Sequence, residues 1–160
     1  MRLLTWDYGN AQDWIKDVNM VLVAAEVTDF DATEFLGALG RTPLQRELNY
    51  LPTLDLALPR LIVAAMALQR VRTAIEAPLH ITSWARTFER NKQLHGARNS
   101  MHLYGVAFDI WSPYATPEEI ATVTAKEQMF TGRGEYDTFH HADARCILGR
   151  RPSYWDRRTI

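Results

Sequence analysis

The stretch SMHLYGVAFDIW, Ser100–Trp111, decides how this 160-residue chain is read. Residues 103–111 have the apolar, aromatic and β-branched character of a buried strand, yet Asp109 stands inside it and His102 opens it. A buried carboxylate or imidazole raises the energy of a core unless it is partnered. One metal ion held by both would meet both needs. Side chains alternate faces along a strand, so a separation of seven residues sends His102 and Asp109 to opposite sides if both lie in one straight strand. They converge if His102 sits in the turn before the strand and Gly105 bends the chain there. Gly105 and Ala107 are small enough for a close backbone approach. His141 would then come from the neighbouring strand. Two histidines and one aspartate leave one position of a tetrahedral zinc open, the ligand count of a catalytic site. Spacing on its own leaves the metal as one reading among others.

Outward from this stretch, the pattern is that of an α+β domain with a small antiparallel sheet and packed helices. LHITSW (Leu79–Trp84) alternates and is β-branched, a strand; residues 86–100 are polar and form a long loop; EYDTFHHADAR (Glu135–Arg145) is a third strand after a turn at Gly132 and Gly134. A helix is expected from Pro59 to Ile75, with Leu61, Ala64, Ala65, Leu68, Val71 and Ile75 on one face and Pro59 in the first turn; Leu51–Pro59 is read as its connector. Thr116 caps another helix with Pro117 at its first position, and Asp31 with Glu34 has the spacing of a capping box. AQDWIKDVNMVLVAA (Ala11–Ala25) reads as a helix or as a helix running into a strand. The chain is divided into an N-terminal extension, 1–27, and a domain, 28–160.

The composition excludes several classes of function. A formal net charge of −1 and no run of like charge argue against a nucleic-acid binder. The basic cluster in RCILGRRPSYWDRR (Arg145–Arg158) is read as a solvated tail. No window has the ~18 apolar residues of a membrane span; LPRLIVAAMAL (Leu58–Leu68) is broken by Arg60. The single cysteine, Cys146, rules out an internal disulfide and is expected as a buried, inert thiol. His80 and His95 are expected as boundary and loop residues. No signal peptide is visible in MRLLTWDYGNAQDW, so the product is expected to be made in the cytoplasm.

SMHLYGVAFDI resembles S-x-H-x-x-G-x-A-x-D, the hallmark of the zinc D-alanyl-D-alanine carboxypeptidases, a family that shares its fold with murein endopeptidases and the hedgehog signalling domain. ITSWARTFERN (Ile81–Asn91) is similar to the family's ITSGYR…N segment, and HGARNSMH to its GGAxNSxH. GRGEYDTFHHADAR resembles GxGxYxxFxHxDxR, FDATEFL an opening FxxxEF helix, and RRPSYW a closing R-P-x-x-W. The resemblance covers roughly residues 28–155.

That resemblance implies zinc on His102, Asp109 and His141. It selects His141 over His140 because the family's histidine stands two before an aspartate, here Asp143; His140 is expected as a partly exposed strand residue. It places Arg86 at the site, to bind a substrate carboxylate or an oxyanion, and Ser100 beside the ligand His102. Trp84 replaces the family's glycine, so its ring would narrow the site or stack on substrate. A carboxylate must take a proton from the zinc-activated water. Asp143 and Asp137 rank ahead of Glu135 for that role, all three being read as sharing the face of His141, and Asp143 carries the alternative of orienting a zinc histidine or Arg145. The implied activity is a zinc peptidase that cleaves the stem or cross-bridge peptides of peptidoglycan next to D-alanine. The rival is a non-catalytic, zinc-stabilised module of the same fold. A compact wall peptidase without an export signal suggests a phage or prophage product that acts at the cell wall or in the periplasm, as a lysis enzyme or beside phage tail and other virion proteins.

Overall fold

The computed structural model describes residues 11–37 and 54–159. Five short strands form one sheet: β1 (His80–Ser83), β2 (Ala107–Trp111), β3 (Gly132–Glu135), β4 (His140–Asp143) and β5 (Ser153–Asp156), in the order β1-β2-β4-β3-β5. The first four pair antiparallel, as expected. β5 runs parallel to β3, which makes the sheet mixed. The segment read as a solvated basic tail therefore ends as a strand. The expected third strand is in fact a hairpin. β3 and β4 are joined through residues 136–139, and Gly132 and Gly134 lie within β3 rather than in a turn.

Two registers set the two faces of the sheet. One lateral row crosses all five strands, pairing Ser83 with Asp109, Asp109 with His141, His141 with Gly134, and Gly134 with Trp155. These side chains share the front face. Phe108, Ile110, His140 and Ala142 alternate onto the rear face, where the helices pack.

The helices are α1 (Ala11–Ala24), α2 (Ala32–Gly37), α3 (Leu54–Ile75), α4 (Phe88–Gln93) and α5 (Pro117–Thr124). α1 is one uninterrupted helix. Its Trp14, Val18 and Leu22 follow the four-residue helical spacing and join Phe35, Leu61, Leu68, Trp84 and Phe108 in a single core. Residues 11–27 thus belong to the domain and are no appendage. α2 starts at the expected capping box, with the Asp31 carboxylate accepting from the Thr33 and Glu34 N–H groups. α3 begins at Leu54, so Pro59 lies inside it; a proline this near the start forfeits a single backbone bond. Residues 51–53 of the expected connector lie outside the described residues. α4 interrupts the expected long loop, with Thr87 as its cap. α5 has the predicted cap: Thr116 Oγ1 accepts from Glu119 N at 3.2 Å, and Glu119 accepts from Thr116 N at 2.8 Å. Cys146 is exposed, in a short 3₁₀ turn over Arg145–Leu148 where only its Sγ approaches the Met129 carbonyl.

Candidate metal centre

His102 lies in a 3₁₀ turn, Met101–Tyr104, ahead of β2. The turn ends at Gly105 with φ 67°, the left-handed conformation that a residue with a Cβ adopts at a cost. This is the bend that parity demanded, and it returns His102 to the front face. Arg86 N donates to the His102 carbonyl at 3.0 Å and ties the turn to the chain leaving β1. The His102 ring is fixed at Nδ1, which donates to the Trp84 carbonyl at 2.5 Å, and its Nε2 lies 3.2 Å from Asp109 Oδ1. His141, directly across the ladder from Asp109, puts Nδ1 2.8 Å from the same oxygen and Nε2 3.0 Å from Asp143 Oδ2. One ligand atom from each of His102, Asp109 and His141 lies within 4.8 Å of the others. All three residues are buried.

Charge in this group is balanced on a small scale. Burial pushes His102 below its ordinary value, and Asp109 only partly offsets it. Burial also opposes charge on His141, but the hydrogen bonds and charges of Asp109 and Asp143 outweigh it and raise that group. Burial would raise Asp109, yet His102 and His141 together hold it far below the usual carboxylate range. Asp143 is likewise held to about 2: burial raises it, and Arg145 and His141 more than compensate.

The donor set fits a divalent cation. A carbonyl only accepts, so the neutral His102 spends its one N–H on Trp84 and turns the Nε2 lone pair toward the Asp109 carboxylate. Lone pair facing carboxylate is repulsive unless a cation lies between them. The outer nitrogen of each imidazole rests on an oxygen acceptor, Trp84 O or Asp143, the arrangement that orients zinc-binding histidines. The comparison with known families then settles the kinship. The peptidase M15 family matches residues 45–143, a span that includes His102, Asp109 and His141.

The chain belongs to the peptidase M15 family. Members of this family are zinc-dependent peptidases. A search of curated proteins finds no match.

The other residues singled out in this M15 chain are placed as follows. Arg86 is at the site: its Nη2 donates to Asp109 Oδ2 at 2.5 Å and its Nε to Ser83 Oγ at 2.9 Å. Asp143, fully buried, accepts from Arg145 Nε and Nη2, both at 2.8 Å, from Arg145 N at 3.1 Å, and from His141. Ser100 precedes the 3₁₀ turn, and its side chain makes no capping bond.

Trp84 is corrected. Its ring is fully buried on the core side against Trp14 and Phe35, with Nε1 bonded to the Gly105 carbonyl at 2.9 Å, so it neither narrows the site nor stacks on substrate. Only its carbonyl reaches the metal face. Glu135 is corrected as well. It pairs with His140, not His141, so it stands on the rear face; the hairpin turn resets the parity that a single strand would have kept. Its carboxylate accepts from Tyr154 at 2.7 Å. Asp137 lies exposed in the β3–β4 turn and accepts from Thr159 N at 3.1 Å and Oγ1 at 2.5 Å. His140 is fully buried on the rear face, contrary to the expected partial exposure, and burial foremost pushes it down to about 3. His140→Ala is therefore expected to bind as much metal as the parent; metal analysis after dialysis checks it.

Two residues that sequence reasoning passed over complete the front face. The Trp155 ring lies 5.1 Å from that of His141, and its Nε1 donates to the Tyr136 hydroxyl at 3.1 Å. The closing R-P-x-x-W motif was a signal for Trp155, but its parallel pairing with β3 is not visible in the sequence. Gly134 makes room for this ring: a Cβ there would stand 2.3 Å from Trp155 Nε1. Gly134→Ala is expected to lose about 1–3 kcal/mol of stability by overpacking, read by chemical denaturation, with Trp155 fluorescence changed.

Proposed function

We propose that this chain hydrolyses peptide bonds of peptidoglycan, in the stem or cross-bridge next to D-alanine. The observation that carries the reading is the convergence of His102, Asp109 and His141, with Arg86 locked beside them. These three residues would hold zinc, which when bound supplies Lewis acidity and a water of lowered pKa. Three protein ligands leave room for a reacting group. Trp84 O and Asp143 keep the two imidazoles in one orientation each.

Arg86 fixes the second oxygen of Asp109 and presents its planar fork at the front face. There it binds a substrate carboxylate such as a terminal D-alanine offers. Asp143 has its oxygens committed to Arg145 and His141 and acts by positioning His141. Asp137, exposed in the β3–β4 turn and bonded there only to Thr159, is the carboxylate to which we assign the proton transfer. Asp137→Asn then lowers turnover by roughly 10²–10⁴ with zinc retained; an unchanged rate would remove Asp137 from the mechanism.

The deciding experiment incubates purified sacculi with the zinc-loaded chain and analyses the muropeptides. Release of D-alanine or opening of cross-bridges is expected. An unaltered muropeptide profile would overturn the reading and favour a module that binds without cleaving. Arg86→Lys keeps the charge and loses the fork; it should lower turnover on sacculi by about 10²–10³ while the thermal midpoint stays near the parent's. No described helix is long and apolar enough to cross a membrane, and we place the site of action at the cell wall.

A further inference from the structure

Arg86 does not have its whole fork free for a substrate. Its Nε donates to Ser83 Oγ and its Nη2 to Asp109, which occupies one edge of the guanidinium. The Nη1 nitrogen bonds to no protein group and is open to solvent. That end of the group is what remains for a ligand.

The short helix that follows supplies a second cation. Thr87 Oγ1 caps α4 by accepting from Arg90 N at 3.1 Å, which fixes the backbone of Arg90 four residues after Arg86. Phe88 and Glu89 are exposed, whereas Asn91 is buried and donates to the Ala97 carbonyl at 2.9 Å. Arg90 lies between these two faces and is half-buried. Its side chain forms no hydrogen bond or ion pair among the described residues. It is near enough to Arg86 for the charges to interact: burial foremost lowers Arg86, Asp109 opposes that, and Arg90 lowers it further. The acids of the metal face do not relieve this pair. Asp109 is shared by Arg86, His102 and His141, and Asp143 by Arg145 and His141. Asp137 bonds to Thr159. Beside the metal centre there is thus one guanidinium with an open end and one with no partner.

We propose that Arg90 is a specificity-determining residue: it closes, together with the open end of Arg86, on a carboxylate of the substrate, so that the residue released from the C-terminal side of the cleaved bond must carry that group free. The proposal rests on the peptidase reading above. An unbonded arginine on a long, flexible stem swings onto such a carboxylate without breaking another contact, and its fork matches the two oxygens. A substrate whose carboxyl group is blocked as an amide offers one acceptor and no charge, and it turns an NH₂ toward groups that only donate. That mismatch is the kind by which a polar site rejects an analogue most strongly.

The test compares two synthetic stem peptides ending in D-alanyl-D-alanine, one the free acid and one its C-terminal amide, on the zinc-loaded full chain. The parent is expected to cleave the acid with a kcat/KM about a hundredfold or more above that of the amide. Arg90→Gln should reduce this preference by about tenfold, mainly by raising KM for the acid, and Arg90→Lys, which keeps the charge, should reduce it less. A merely structural Arg90 would instead slow both peptides alike. Two results would overturn the proposal: acid and amide cleaved equally by the parent, or a preference that survives intact in Arg90→Gln, which would leave Arg86 or the metal to hold the carboxylate. Cleavage of neither peptide would overturn the peptidase reading instead. Arg90 is then judged by calorimetry with the same two intact peptides: tighter binding of the acid that is weakened in Arg90→Gln supports its role, and any other pattern overturns it.

Discussion

His102→Ala and His141→Ala are each expected to empty the metal centre: zinc retained after dialysis falls from about one per chain to background, and hydrolysis of sacculi stops. The reason is the shared oxygen. His102 Nε2 and His141 Nδ1 converge on Asp109 Oδ1 from two different elements, at 3.2 and 2.8 Å. With either imidazole gone the cation keeps only two protein ligands. Groups that merely orient a metal-binding histidine are worth roughly 10–100-fold in affinity, and loss of the histidine itself exceeds that. A second readout does not depend on activity. Zinc at a thousand times its dissociation constant stabilises the parent by about 4 kcal/mol through mass action, so the parent's thermal midpoint rises on zinc addition and those of the two variants stay where they are. An undiminished zinc content in His102→Ala would sink the ligand assignment.

Asp143→Asn is expected to weaken zinc binding by roughly 10–100-fold and to lower turnover at least as much. Every group around this carboxylate is a donor: His141 Nε2 at 3.0 Å, Arg145 N at 3.1 Å, and Arg145 Nε and Nη2 at 2.8 Å. The amide of an asparagine must point its NH₂ at one of these donors, which leaves His141 without its anchor or Arg145 without its partner. Loss of buried hydrogen bonds of this kind adds about 1–3 kcal/mol of destabilisation. A variant that kept full zinc affinity and stability while losing turnover would make Asp143 the proton acceptor and displace Asp137.

How far the site could be read from the chain depended on whether its geometry was local. His102, Gly105 and Asp109 lie within one short stretch, and strand parity alone required the bend that the 3₁₀ turn and the positive φ of Gly105 supply. The choice of His141 over His140 comes from the family resemblance, through the aspartate two residues on, and the register with β2 puts one histidine on each face. Parity failed where the chain reversed unseen. The pattern from Glu135 to His141 reads as one strand, but the 136–139 turn makes Glu135 the partner of His140. The direction of Trp84, just past a strand end, depends on what packs there, and that is Trp14 and Phe35, far away in sequence. Trp14, Val18 and Leu22 show the same limit. Their spacing marks an apolar stripe, yet only the fold reveals that the stripe completes the core beneath the sheet.

The sheet also carries features that oppose strand-by-strand association. Among the described residues its two outer strands each have one edge that pairs with no other strand, the feature through which sheets aggregate. On one side β1 has only four residues, and its register shifts between Ile81 and Ser83. On the other, β5 also has four residues, with Arg150, Arg151 and Pro152 before it and Arg157 and Arg158 after it. An incoming strand would meet a proline that cannot donate and the charges of Arg150, Arg151 and Arg157, while Arg158 is paired with Glu118, Glu135 and Asp156. The basic residues that looked like a simple solvated tail thus act as gatekeepers against intermolecular strand addition.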